Sequence, residues 1–304
     1  MLQVELAGLR LRNPLMNASG VLSVSHATLI EGAKHAGAVV TKSIGLDARE
    51  GNPNPTVAWV DGGMLNAMGF PNPGMKDFAP EIKEYLAVVK DTPLICSIFA
   101  ADAEGFAELA RMARDAGAHA VELNLSCPHA KGFGMEVGSR PESVREITSA
   151  VKGACALPVF VKLTPNTSDV RALAAAAEDA KADAIVAINT LRAMKIDLGF
   201  RRPVLASNSG VGGLSGPVVL PVGVRCVYEI YDAVDVPVVG VGGICNWQDA
   251  VEYMLAGASA VQIGTALIGG NWLLFHDICD KLKEYAKREG FNDIKAIVGT
   301  AHKA

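Results

Sequence analysis

Long apolar runs are missing from this 304-residue chain. Nothing in it approaches the roughly 20 consecutive apolar residues that a membrane-crossing helix requires. The N-terminal stretch MLQVELAGLRLRNP alternates as a β-hairpin does and lacks the apolar centre of a secretion signal, so a soluble, cytoplasmic protein is expected. Cysteine is sparse and scattered. Cys96, Cys127, Cys155, Cys226, Cys245 and Cys279 show no C-x-x-C or other metal-type spacing, so no metal site is expected and reduced thiols fit best. Charge of one sign is scarce as well. A net charge of −4 gives no general surface for nucleic acid, although it leaves room for a local phosphate pocket. The dinucleotide fingerprint G-x-G-x-x-G is absent from any strand–helix junction. No linker or low-complexity segment divides the chain, which reads as one domain over residues 1–304.

What is present is a repeated local pattern. A helix ends in a small-residue turn and an apolar strand follows, as in HAGAVVTKS (35–43), DAGAHAVELNLS (115–126), DAKADAIVAINT (179–190) and LAGASAVQIGTA (255–266). Glycine stops the helix in a left-handed conformation. The near-continuous hydrophobicity that follows suits a strand covered on both faces. TPLICSIFA (92–100), LPVFVKLTP (157–165), VPVVGVGGI (236–244) and NPLMNASG (13–20) complete a set of eight. Helical periodicity fills the intervals at roughly 23–36, 74–91, 103–117, 141–155, 167–181, 217–234, 247–257 and 270–289. Eight strands alternating with eight helices predict an α/β fold, a (β/α)8 TIM barrel. Two segments, 44–73 and 191–216, exceed plain barrel turns. They follow strands two and six and are predicted to be functional insertions on the catalytic face.

The strand ends carry the chemistry expected of that face: Ser19, Lys42 with Ser43, Ser97, Asn124 with Cys127, Lys162, Asn189 with Thr190, Gly242 with Gly243, and Gly264 with Thr265. Barrel interiors need branched apolar residues, not lysine. Lys42 and Lys162 read either as snorkelling surface residues or as partners of an anion. Glycines after strands seven and eight are either turn residues or a phosphate cradle, with Ser215 and Gly216 as further donors. Cys127 is either a small buried hydrophobe or a reactive thiol.

Taken in order, MLNAMGFPNPG (64–74), ELNLSCPH (122–129), PVFVKLTPN (158–166), AINT (187–190), GGLSGP (212–217), VGVGGI (239–244) and AVQIGTAL (260–267) resemble the motifs of dihydroorotate dehydrogenases. The loop at 49–74 and the stretch VRCVYEIYDAVDVP (224–237) look most like class 1B catalytic subunits. The resemblance implies oxidation of (S)-dihydroorotate to orotate in pyrimidine biosynthesis, with FMN in this chain. It also implies a partner electron-transfer subunit carrying FAD and an iron–sulfur cluster, which passes electrons to NAD. A homodimer core within a heterotetramer is part of the same expectation.

The resemblance makes Cys127 the base. It assigns orotate to Lys42, Asn66, Ala67, Met68, Gly69, Phe70, Asn124, Asn189 and Thr190. It assigns FMN to Ser19, Lys42, Ser43, Ser97, Asn124, Lys162, Ile188, Ser215, Gly216, Gly242, Gly243, Gly264 and Thr265. Two positions depart from the pattern, since Ser97 and His129 stand where family members commonly have Asn. A fumarate-using class 1A enzyme and a non-catalytic flavin-binding subunit are the alternatives. With no amphipathic extension ahead of the first strand, a membrane-bound, quinone-using enzyme is not expected. A tRNA-modifying flavin barrel fits poorly with the acidic charge balance.

Overall fold

Helices alternating with valine- and isoleucine-rich strands produce a parallel ring. The computed structural model describes residues 1–125 and 135–303. The barrel strands are β1 Leu15–Asn17, β2 Val39–Val40, β3 Leu94–Ile98, β4 Ala120–Asn124, β5 Val159–Leu163, β6 Ala184–Ala187, β7 Val238–Val241 and β8 Ala258–Ile263. Successive strands pair in parallel from β2 through to β8, and β8 pairs with β1. The helices between and after them are α1 His26–Ala33, α2 Met75–Val88, α3 Ala103–Ala116, α4 Pro141–Ala154, α5 Val170–Asp179, α6 Leu220–Tyr231, α7 Trp247–Leu255 and α8 Leu273–Arg288. The expected (β/α)8 barrel is therefore the fold. Residues Val4–Leu6 and Leu9–Leu11 form an antiparallel hairpin ahead of it, turning through Ala7 and Gly8 at positive φ.

The ring closes at its weakest seam by side-chain chemistry. β2 is two residues long, and a single parallel bridge, Met16 to Ala38, joins it to β1. Asn17 completes the seam. Its Nδ2 donates to the Val40 carbonyl at 2.8 Å, and its Oδ1 accepts from the Val40 N–H at 3.0 Å. A fully buried amide here satisfies two backbone groups that would otherwise be orphaned.

Several elements are shorter than their sequence pattern. The periodicity predicts helix 167–181, but α5 begins at Val170 because the Asp169 side chain accepts from the Ala172 N–H and caps it. Helix α6 is preceded by a separate 3-10 turn, Pro217–Val219, which absorbs the start of the 217–234 pattern.

The two long segments after β2 and β6 meet each other. Val57–Val60 pairs with Gly63–Asn66, which pairs with Gly212–Ser215, which pairs with Leu191–Ala193, all antiparallel. This inserted sheet has a small core of its own, formed by Leu65, Ala67 and Leu205.

Candidate active site

A cavity of about 420 Å³ lies among the loops that follow the barrel strands, a volume in the range of small-molecule sites. Its charged lining among the described residues is Lys42 and Lys162, with no carboxylate, so it favours an anion. Lys162 sits on β5, opposite Asn124 of β4. Strand alternation places Lys162 and Phe160 on one face and Val161 and Leu163 on the other. The side chain of Lys162 points into the barrel, where Nζ lies 3.4 Å from Ser19 Oγ, 3.3 Å from Gln262 Oε1 and 3.6 Å from Glu122 Oε1.

Glu122 and Gln262 were not singled out in the sequence. Both are fully buried, and Gln262 Nε2 donates to Glu122 Oε2 at 2.7 Å. From Glu122 a polar chain runs outward through Ser97, Ser43 and Asn124 to Asn189. The separations are 3.4 Å (Glu122–Ser97), 2.9 Å (Ser97–Ser43), 2.8 Å (Ser43–Asn124) and 3.3 Å (Asn124–Asn189). The Thr190 N–H donates to Asn189 Oδ1 at 2.8 Å, which turns the next residue toward the same wall.

The segment from Asn66 to Asn72 is held by asparagines. Asn52 takes the Met68 carbonyl with its N–H and the Ala67 carbonyl with Nδ2. Asn72 donates to the Phe70 carbonyl and accepts from the Gly45 and Gly74 N–H groups. Phe70, at a positive φ of 59°, stacks on Phe99 with ring centroids 4.1 Å apart. Asn52 and Asn72 are positioning residues that the sequence displayed only as a loop rich in Asn, Gly and Pro, and Phe99 is one that it displayed only as part of the strand segment TPLICSIFA.

On the opposite wall, Ser215 Oγ meets Thr265 Oγ1 at 2.9 Å, linking the loop before α6 to the loop after β8. Gly216, Gly242 and Gly243 all have positive φ. A Cβ on Gly243 would lie 2.7 Å from the Cα of Leu220, at the first turn of α6. The loop is further fixed by the Tyr253 hydroxyl, which donates to the Gly242 carbonyl at 2.8 Å. Cys245 also lines the cavity, and burial, with the Asp249 charge adding to it, pushes its thiol up.

The structure brings most of the expected site residues to this one cavity. Lys42, Asn66, Met68, Gly69, Phe70, Asn124, Asn189 and Thr190 line it. So do Ser19, Ser43, Lys162, Ile188, Ser215, Gly216, Gly242, Gly243, Gly264 and Thr265. Ala67 and Ser97 are fully buried and stand behind the wall, Ala67 in the core of the inserted sheet and Ser97 within the polar chain. Cys127 and His129 lie outside the described residues.

The site can hold a planar ring rich in carbonyl and N–H groups against its amides, and an anionic tail against glycine-lined backbone and hydroxyls. The family model described as dihydroorotate dehydrogenase matches residues 1–285. The chain is 48% identical, over 303 residues covering 99% of each chain, to the protein of Pyrococcus furiosus named dihydroorotate dehydrogenase B (NAD(+)), catalytic subunit. Proteins of the same name from Thermococcus kodakarensis and Thermoplasma acidophilum are 49% and 48% identical, each over 301 residues covering 99% of this chain and 98% of theirs.

Proposed function

The chain belongs to the dihydroorotate dehydrogenase family, and from that premise we propose that it oxidises (S)-dihydroorotate to orotate for pyrimidine synthesis, with FMN held in the cavity. The observation that carries this reading is the convergence of two lysines, three asparagines and the paired glycine loops on one cavity without a carboxylate in its described lining.

The donor set fits FMN. Gly216, Gly243, Gly264, Thr265 and Ser215 form a cradle for a phosphate, and at Gly243 a Cβ would drive into the start of α6. Lys162 and Asn124 offer a cation and an amide to the ring, with Ser19, Lys42, Ser43 and Ile188 beside them. Ser97 supports Ser43 from behind. Bound FMN supplies what no side chain can, a two-electron acceptor for the hydride leaving C6.

The chain's own residues handle the rest. Cys127 removes the C5 proton, so that loss of a proton and a hydride leaves the C5=C6 double bond of orotate. A free thiol is mostly protonated at neutrality, so the activity rises with pH as the thiolate fraction grows. Lys42 balances the substrate carboxylate. Asn66, Asn124, Asn189 and Thr190 read the ring's carbonyl and N–H groups, with the backbone from Ala67 to Phe70 closing over it.

Electrons leave through a partner subunit that carries FAD and an iron–sulfur cluster and reduces NAD, around a homodimer of this chain in a heterotetramer. The relatives' name, a catalytic subunit, supports a partner, and so does the absence of a dinucleotide fingerprint from this sequence. A cytoplasmic setting is consistent with the lack, among the described residues, of a helix long and apolar enough to cross a membrane.

The test is anaerobic mixing of the purified yellow protein with dihydroorotate. Bleaching of the flavin absorbance with stoichiometric orotate is expected. A flavin that stays oxidised sinks the reading.

A further inference from the structure

The polar chain inside the barrel has a direction. Asn189 donates to Asn124 and Asn124 donates to Ser43. Ser97 donates to Glu122 Oε1, and Gln262 donates to Glu122 Oε2. Ser97 spends its proton on the carboxylate, so the 2.9 Å contact between the two serines runs from Ser43 to Ser97. An ionised carboxylate only accepts, and every link therefore terminates on Glu122. The same carboxylate faces the Lys162 ammonium at 3.6 Å.

Burial makes this pairing consequential. Glu122 is 0% exposed and Lys162 3% exposed, so both charges have lost their water. Lys162 lines the cavity, whereas Glu122 is not among the lining residues and lies behind the wall.

We propose that Glu122 is a positioning residue for the redox chemistry. It holds Lys162 in place at the cavity wall, offsets its charge, and thereby keeps the bound flavin harder to reduce than a lone lysine would make it. The proposal rests on the flavin reading given above. The physical basis is the charge that the flavin ring gains on reduction. A carboxylate a few ångströms behind the wall repels that charge through a medium of low dielectric.

The experiment is the midpoint potential of the FMN-loaded protein, measured anaerobically with reference dyes, for wild type and Glu122→Gln. The amide keeps the shape and removes the negative charge. Reduction is expected to become at least about tenfold more favourable, an upward shift of about 30 mV for a two-electron couple. An unchanged or lowered potential in a fully flavin-loaded variant overturns the proposal, because a merely structural Glu122 has no reason to raise it.

If Glu122→Gln does not accumulate with flavin, the pair Glu122→Gln/Lys162→Gln, which leaves no unpaired ion in the core, is compared with Lys162→Gln alone. The double variant is expected to be at least about tenfold easier to reduce than the single one, and equality overturns the proposal. A wild-type protein that binds no FMN fails the flavin reading itself. A wild type that is bleached by dihydroorotate while the variants show no shift fails this inference alone.

Discussion

Gly243→Ala isolates the phosphate cradle in one atom. At Gly243 φ is +80°, and the added Cβ would sit 2.7 Å from the Cα, Cβ and N of Leu220. An L-residue in the left-handed region costs about 1–2 kcal/mol. Forcing an extra carbon against backbone that cannot rotate away adds about 1–3 kcal/mol. The expected loss of stability is therefore about 2–5 kcal/mol, visible as a lower denaturation midpoint with unchanged slope. Leu220 opens α6, so its displacement widens the cradle, and FMN affinity is expected to fall at least about tenfold, or about 1.4 kcal/mol. Flavin fluorescence titration of the apo-protein reads this directly. Gly153→Ala is the matched control. It lies in α4, outside the cavity lining, and its Cβ would meet nothing within 4 Å. Equal stability and equal FMN affinity for the two variants would refute the reasoning.

Three further outcomes are expected. Asn17→Ala strips both partners from the Val40 backbone at the barrel seam and should cost about 2–6 kcal/mol at about 1–3 per orphaned group; a loss under about 1 kcal/mol in chemical denaturation contradicts that role. Cys127→Ser should retain FMN but slow flavin reduction by orders of magnitude in stopped-flow mixing with dihydroorotate, and a normal rate removes the thiol from the mechanism. The Glu81 carboxyl is held below its ordinary range chiefly by the His26 N–H, with burial opposing and the His26 ring adding to the lowering. Its contribution is therefore present above the unfolded carboxylate range and is lost as pH falls through its lower folded value. The margin of wild type over Glu81→Gln in thermal melts should accordingly be positive at pH 7 and shrink as the pH falls below the ordinary carboxylate range, and a margin that grows on acidification reverses the sign of the argument.

Much of the barrel was legible because the repeats announce themselves locally, by a small-residue turn or a proline entry and then an apolar run. Lys162 was legible because a cation at the end of such a run has no packing role. Glu122 stood inside the quoted ELNLSCPH motif and still went unassigned. Whether a strand residue faces the barrel interior or the helices depends on register, and a shift of one residue reverses it. Gln262 was hidden in the same way. The inserted sheet was invisible for a different reason. Its strands GMLN and GGLS are too short and glycine-rich to alternate, and their partners are supplied by chain far away. Asn17 carried no local sign either, since only the shortness of β2 gives its amide something to do.

The pairing of Asn66 with Gly213 has a consequence for how the protein becomes active. The two residues are 147 positions apart in the chain. Closing a flexible loop of that length costs about 4 kcal/mol in chain entropy beyond a constant. One antiparallel pair of four-residue strands does not repay that in an unfolded chain. The ring of β1 to β8 must first bring the two insertions within reach. The rim that gathers Asn66 and Ser215 is thus the last unit to assemble and the first to open, and amide hydrogen exchange at Leu65 and Leu214 should run ahead of exchange at Val161 and Val186. A nascent chain with a finished barrel and an unpaired rim would be folded by most measures and still unable to hold its ligands.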